Sequence, residues 1–130
     1  MTPGPTPFIG AVDRNNGVSA RVAQGPLHPA NTLTVNYNGS VAETFYQPAP
    51  FRCSDDVNVL YPKFAMTPAA GLFLATLIRQ EKYRFNYGRK WHLERMEQSE
   101  ILLPATPNGE PDYPFMEHYI KTLPFSSQLL

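Results

Sequence analysis

The chain has 130 residues, 42% of them hydrophobic and 17% charged, which excludes an intrinsically disordered segment and predicts one domain with a real core. Eleven Lys+Arg balance eleven Asp+Glu, so a uniformly basic nucleic-acid-binding domain is excluded and any such role must rest on local charge. A single cysteine and no apolar run near 20 residues leave no internal disulfide, no cysteine-based zinc site and no membrane-spanning helix.

Residues 1–7 alternate proline with small residues and predict an extended lead. The start "MTPGPTPF" has neither a basic n-region nor an apolar h-region, so no secretory leader is expected. "FIGAV" (8–12) reads as a short buried strand, "DRNNG" (13–17) as a turn and "VSARV" (18–22) as the alternating return strand. After a loop at 25–31, "TLTVNY" (32–37), the Asn38-Gly39 pair and "SVAETFY" (40–46) predict a second hairpin. "FRC" and "DVNVLYP" are two further strand candidates.

The period then changes from strand to helix. Thr67 is the expected N-cap and Pro68 the first helical residue. Leu72, Phe73, Leu74, Leu77 and Ile78 form a broad apolar stripe through "AAGLFLATLIRQEKYRF". Gly88 is the expected helix stop, "WHLERMEQ" a short helical turn and "EILLP" (100–104) a strand. Asp112 caps a last helix whose Met116, Tyr119, Ile120 and Leu123 share one apolar face. The order predicts an α+β fold: short, largely antiparallel strands packed with one long buried helix and a C-terminal amphipathic helix. The lead (1–7), a single domain (8–124) and a tail (125–130) complete it.

Charge is uneven along the chain. Residues 63–96 hold seven basic side chains (Lys63, Arg79, Lys82, Arg84, Arg89, Lys90, Arg95) and two acidic ones, a net +5; residues 97–130 are net −4. "FNYGRKWHLERM" (85–96) crowds three basic side chains, one histidine and three further aromatics into twelve residues. Cations at a helix C-terminus also complement its dipole, which needs no ligand.

Catalytic signatures are missing. His28, His92 and His118 stand alone in sequence, and no HExxH, GxSxG, phosphate loop or CxxC is present. Neither the (N/D)PP(Y/F) motif of amino-methyltransferases nor an ExK or DxK nuclease pattern occurs. "SDDV" (54–57) offers adjacent carboxylates, but neighbouring strand side chains point to opposite faces, so a solvated turn is the plainer reading. Cys53 reads as a small buried apolar residue. No metal, cofactor or catalytic residue is predicted.

Four stretches in order, "PFIGAVDRNNGVSARV", "TLTVNYNGSVAETFYQPAPF", "SDDVNVLYP" and the run from Ile78 to Pro124 containing "FNYGRKW" and "LER", carry a family pattern. The chain resembles a target-recognition domain of restriction–modification specificity subunits, type I and above all type IIB-like. The resemblance covers about nine-tenths of the chain. It implies sequence-specific binding of double-stranded DNA without catalysis by this chain, in the cytoplasm. The implied partners are a DNA methyltransferase, a restriction subunit, or both, with a second recognition domain or a second copy of the chain, and no membrane.

A DNA reader needs phosphate contacts for position and base-edge contacts for sequence. Under the resemblance, Arg84, Arg89 and Lys90 suit phosphate, with Arg79 and Lys82 extending the stripe and Tyr87 against the sugar-phosphate backbone. Asn15 and Asn16 at one hairpin tip, and Asn36 and Asn38 beside the other, are the base-reading candidates, because an Asn amide matches adenine N6/N7. Turn chemistry alone also accounts for these asparagines. Trp91, Leu93 and Met96 are expected to point inward. Two readings stay open beside this one: a protein-interaction module or truncated half-subunit that docks a methyltransferase or restriction subunit without binding DNA alone, and a small enzyme using His92 with Glu94 or Asp56.

Overall fold

The first hairpin forms where Asn15, Asn16 and Gly17 take positive φ, a left-handed backbone that Asn and Gly tolerate. The computed structural model describes residues 1–85 and 90–124. Its strands are β1 (Pro3–Ile9), β2 (Val18–Val22), β3 (Thr32–Asn36), β4 (Thr44–Gln47), β5 (Arg52–Cys53) and β6 (Val57–Leu60). Its helices are α1 (Pro68–Arg79), α2 (Leu93–Glu97) and α3 (Tyr113–Thr122). Two three-stranded sheets result, ordered β2-β1-β5 and β4-β3-β6. All strand pairs are antiparallel except β1 with β5. The α+β reading therefore holds.

The proline-rich start is more than a lead: β1 begins at Pro3 and pairs with β2. The register of β1 against β2 shifts between Pro3 and Thr6, and β5 pairs with β1 only at Phe8 and Ile9, so Pro3 and Pro5 lie in the irregular, sparsely paired part of the strand, where a missing N–H is tolerated. β4 starts at Thr44, later than the Asn-Gly signal implies. The connection 37–43 is a wide loop in which Ala42 N–H bonds Asn36 O and Ser40 N–H bonds Ala11 O. Gly39, at φ 63°, lies so close to the first hairpin that a Cβ would meet Ala11 O at 2.8 Å. "EILLP" is not a strand. Ile101 and Leu103 reach the core while Leu102 is fully exposed, so the alternation survives without a neighbouring strand to pair with.

α1 opens as its sequence dictates, with Thr67 Oγ1 accepting the Ala70 N–H at 3.2 Å. The same logic starts α3, where Asp112 accepts the Phe115 N–H at 3.0 Å. α1 gives way after Arg79 to a 3₁₀ turn, Gln80–Tyr83. Its buried face is Ala69, Ala70, Gly71, Leu74, Ala75 and Ile78, and Leu72 and Phe73 are only partly buried. Small residues let the helix approach β4, and the larger Phe73 meets Phe115 and Tyr119 of α3 edge-on. Every residue of β3 is buried: Leu33 and Val35 belong to the apolar core, while Thr32, Thr34 and Asn36 occupy the alternate positions.

Gly71 shows how close α1 lies to the sheet. A Cβ there would stand 2.4 Å from Tyr46 Cδ1, and the Tyr46 hydroxyl is tied to Asn31 Oδ1 at 2.8 Å. Gly71→Ala is therefore expected to destabilise by about 1–3 kcal/mol through overpacking, despite the roughly 1 kcal/mol that alanine gains in an open helix. An unchanged or raised urea midpoint would contradict this. Among the described residues no helix is long and apolar enough to cross a membrane.

Candidate nucleic-acid interface

The corner at 84–96 is built on aromatic stacking. Phe85 and Trp91, 1% and 2% exposed, lie parallel with ring centroids 4.7 Å apart. Tyr87 and Arg89, two of the expected phosphate contacts, lie outside the described residues. The Trp91 Nε1–H donates to Ser99 Oγ at 3.0 Å, and Ser99 Oγ–H donates to Arg95 O at 2.7 Å. Trp91 and Met96 point inward as expected. Leu93 does not; it is exposed, because α2 has only five residues and turns Met96, not Leu93, toward the core.

The cations divide into two groups. Arg79 and Lys82 converge on Glu43, a carboxylate in the loop before β4 that is 5% exposed. Lys82 Nζ pairs with Glu43 Oε1, and Arg79 Nε stands 3.6 Å from Oε2. Arg79 also donates to Thr44 O and lies over the Phe45 ring at 5.2 Å. Both cations neutralise a buried acid that pattern reading missed, because Glu43 and Lys82 lie far apart in sequence; the one signal was an acid inside the strand-like run "VAETF". Arg84 and Lys90 flank the stack: Arg84 is exposed with a 3.0 Å pair to Glu81, and Lys90 is partly buried.

The asparagines fare differently. Asn15 is exposed, with Nδ2 bonded to Val18 O at 3.0 Å. Asn16 fastens the first hairpin to β4: its Nδ2 bonds Tyr46 O at 3.0 Å, and its own carbonyl accepts from Gln47 Nε2 at 3.0 Å. Asn36 is fully buried and donates to Val12 O and Ser40 O, each at 3.0 Å. It joins the two turns, and no base edge can reach it, which corrects its placement among base readers. Asn38 Nδ2 is held by Asp56 Oδ1 at 2.9 Å. The structure does bring both turns to one edge of the molecule, through Asn36, Ser40 and Ala11.

The elements of the small-enzyme reading are occupied otherwise. The His92 ring lies against Tyr37, 5.4 Å between centroids, while Asp56 holds Asn38. Cys53 is half-buried, its Sγ 3.7 Å from His28 Nε2. Burial, then the charge of Asp55, raises its pKa, so the thiolate needed for nucleophilic work is disfavoured. Among the described residues no group of three or more His, Cys, Asp or Glu side chains could hold a metal ion.

Known proteins give this geometry a context. Residues 2–130 match the type I restriction modification DNA specificity domain. The specificity subunit S.BcgI of a type II restriction enzyme from Heyndrickxia coagulans is 43% identical over 122 residues, which are 92% of this chain and 36% of that subunit. The S subunit of a type I restriction-modification system from M. genitalium superposes over 99% of this chain and 31% of its own, with a TM-score of 0.54 and 15% identity, a likeness of fold alone. The chain thus spans about a third of the length of either relative. With the family match running through both sheets and all three helices, the chain belongs to the type I restriction modification DNA specificity domain family.

Proposed function

We propose that this chain is a sequence-specific reader of double-stranded DNA, the recognition module of a restriction–modification system, and that it directs a partner methyltransferase or restriction subunit in the cytoplasm while carrying no catalysis itself. The observation that carries the reading is the 43% identity to a specificity subunit over 92% of the chain. The cationic corner supports it: Arg84 and Lys90 lie beside the Phe85–Trp91 stack, and Tyr87 and Arg89 fall between them in the sequence. Fixed cations suit phosphate. Of the amides, Asn15 at its exposed tip is the best placed to meet a base, with Asn16 and Asn38 behind it in surrounding turns.

The test is duplex binding across a salt series. Each phosphate contact contributes a slope of about −0.9 in log K against log salt. Arg89→Ala with Lys90→Ala is expected to weaken all duplexes alike and to flatten that slope by up to about 1.8. A flat response in the unaltered chain, with or without its methyltransferase partner, sinks the proposal. Loss on one sequence only would make these residues base readers.

A second reading, docking of a methyltransferase or restriction subunit without DNA binding by the chain alone, draws on one feature. Phe73, Leu77, Phe115, Tyr119 and Leu123 line an apolar groove of about 360 Å³ between α1 and α3, and Phe115 and Tyr119 are exposed. Co-purification with the subunit without any shift of duplex would favour it.

A further inference from the structure

We propose that Arg95 and Arg84 together form a clamp for a tetrahedral phosphate group, seated over the edge of the buried Phe85 ring. The proposal rests on the DNA-binding reading for its natural ligand, a backbone phosphodiester. It adds Arg95, a residue whose sequence context marks it only as part of a charged helical turn.

Three observations carry it. First, both guanidiniums gather on one ring: Arg84 Cζ stands 5.3 Å and Arg95 Cζ 6.0 Å from the Phe85 centroid. Two like charges drawn to one aromatic ring repel each other, and an anion between them relieves that repulsion. Second, the frame is fixed. Phe85 stacks on Trp91, Trp91 donates to Ser99, and Ser99 donates to the backbone carbonyl of Arg95 itself. The backbone bearing Arg95 is thereby tied to the ring that its side chain approaches, so little order remains to be imposed on binding. Third, the two arginines share a polar depression of about 420 Å³ with Phe85, Gln98, Ser99 and Glu100.

Donor capacity is sufficient. A guanidinium has five N–H donors, and the Arg84 pair with Glu81 engages Nη1 alone. Among the described residues Arg95 has no carboxylate within ion-pair distance, and Glu100, which shares the depression, pairs with neither arginine. The geometry suits one oxyanion accepting from both forks, with Glu100 weakening the site for any anion.

The chain has one tryptophan, and it lies in the stack beneath the clamp, so its fluorescence reports occupancy. Two titrations of the whole chain are compared: inorganic phosphate against chloride at matched ionic strength, read by Trp91 emission, and duplex DNA across salt. A saturable, phosphate-specific change is expected, lost in Arg95→Gln and in Arg84→Gln and tightened in Glu100→Gln. With duplex, Arg95→Gln is expected to reduce the salt slope by about 0.9 and Arg95→Lys to keep it. Arg95 is exposed, and its variants are expected to melt as the parent does. Duplex binding whose slope ignores Arg95→Gln, with no Trp91 response to phosphate, overturns the clamp and leaves the DNA reading standing. An Arg95-dependent Trp91 response without duplex binding supports the clamp, makes free phosphate its ligand and overturns the DNA reading. Silence in both titrations overturns both.

Discussion

Trp91→Ala is expected to lower folding stability by about 3–5 kcal/mol, the usual cost of emptying a large aromatic site in a core. A domain of this size has roughly 5–15 kcal/mol in total, so the variant loses much of its margin. The cause is specific. Trp91 is 2% exposed, stacks on Phe85 at 4.7 Å, and its indole N–H holds Ser99. Removing it strips Phe85 of its parallel partner and leaves Ser99 without its donor. Trp91→Phe keeps a ring in the stack and loses the hydrogen bond and part of the volume, so it should cost less than half as much. Urea unfolding followed by far-ultraviolet circular dichroism measures both without relying on the lost fluorophore. A loss under about 1 kcal/mol in Trp91→Ala would mean that the stack is peripheral, and the corner would then lose its claim to be a rigid platform.

The second large effect is expected where the carboxylate of Glu43 is buried. Arg79 and Lys82 have side chains 40% and 50% exposed, against 7% for Glu43. Deleting the acid frees two cations that water can solvate. Deleting both cations strands a charge in the interior, which typically costs 3–5 kcal/mol. Arg79→Met with Lys82→Met should therefore unfold far more easily than Glu43→Gln. Adding Glu43→Gln to the double variant should return more than half of the loss. Such non-additivity is the mark of a coupled triad. Additive effects in the three backgrounds would show that the residues act separately. In duplex binding the same double variant should change the salt slope by less than the roughly 0.9 per residue of a free phosphate contact, because Glu43 already neutralises part of that charge.

The parts of this chain legible beforehand were those written in local chemistry. Thr67-Pro68 and Asp112 mark helix starts because a cap acts within three residues, and both caps are present. "VSARV" matches β2 residue for residue, since a strand next to a tight turn has one register available. What escaped depends on partners distant in the chain. The lead is a strand only because β2 is there to pair with it. "EILLP" has the right alternation and no neighbour. Asn36, beside the second turn, resembles its exposed relatives in sequence, yet Val12 and Ser40 draw it wholly inside. In the candidate site, the concentration of cations was plain in the sequence, but the commitment of Arg79 and Lys82 to one buried acid was not. That commitment depends on Glu43, more than thirty residues earlier in the chain, and such a contact has no local signature.

The burial of β3 on both faces sets different rules for different kinds of genetic change. Leu33 and Val35 face the helix-covered core, while the Thr34 hydroxyl accepts from Gln47 and the Asn36 amide reaches the first turn. Substitutions at the exposed tip around Asn15, or on the outer face of α2, leave this alternation intact. A one-residue insertion or deletion within Thr32–Asn36 exchanges its two sets of side chains at once, sending hydroxyls toward the core and aliphatic groups toward polar partners. Diversity in this domain should therefore accumulate by replacement at its tips, and changes of chain length should be confined to the connections between strands.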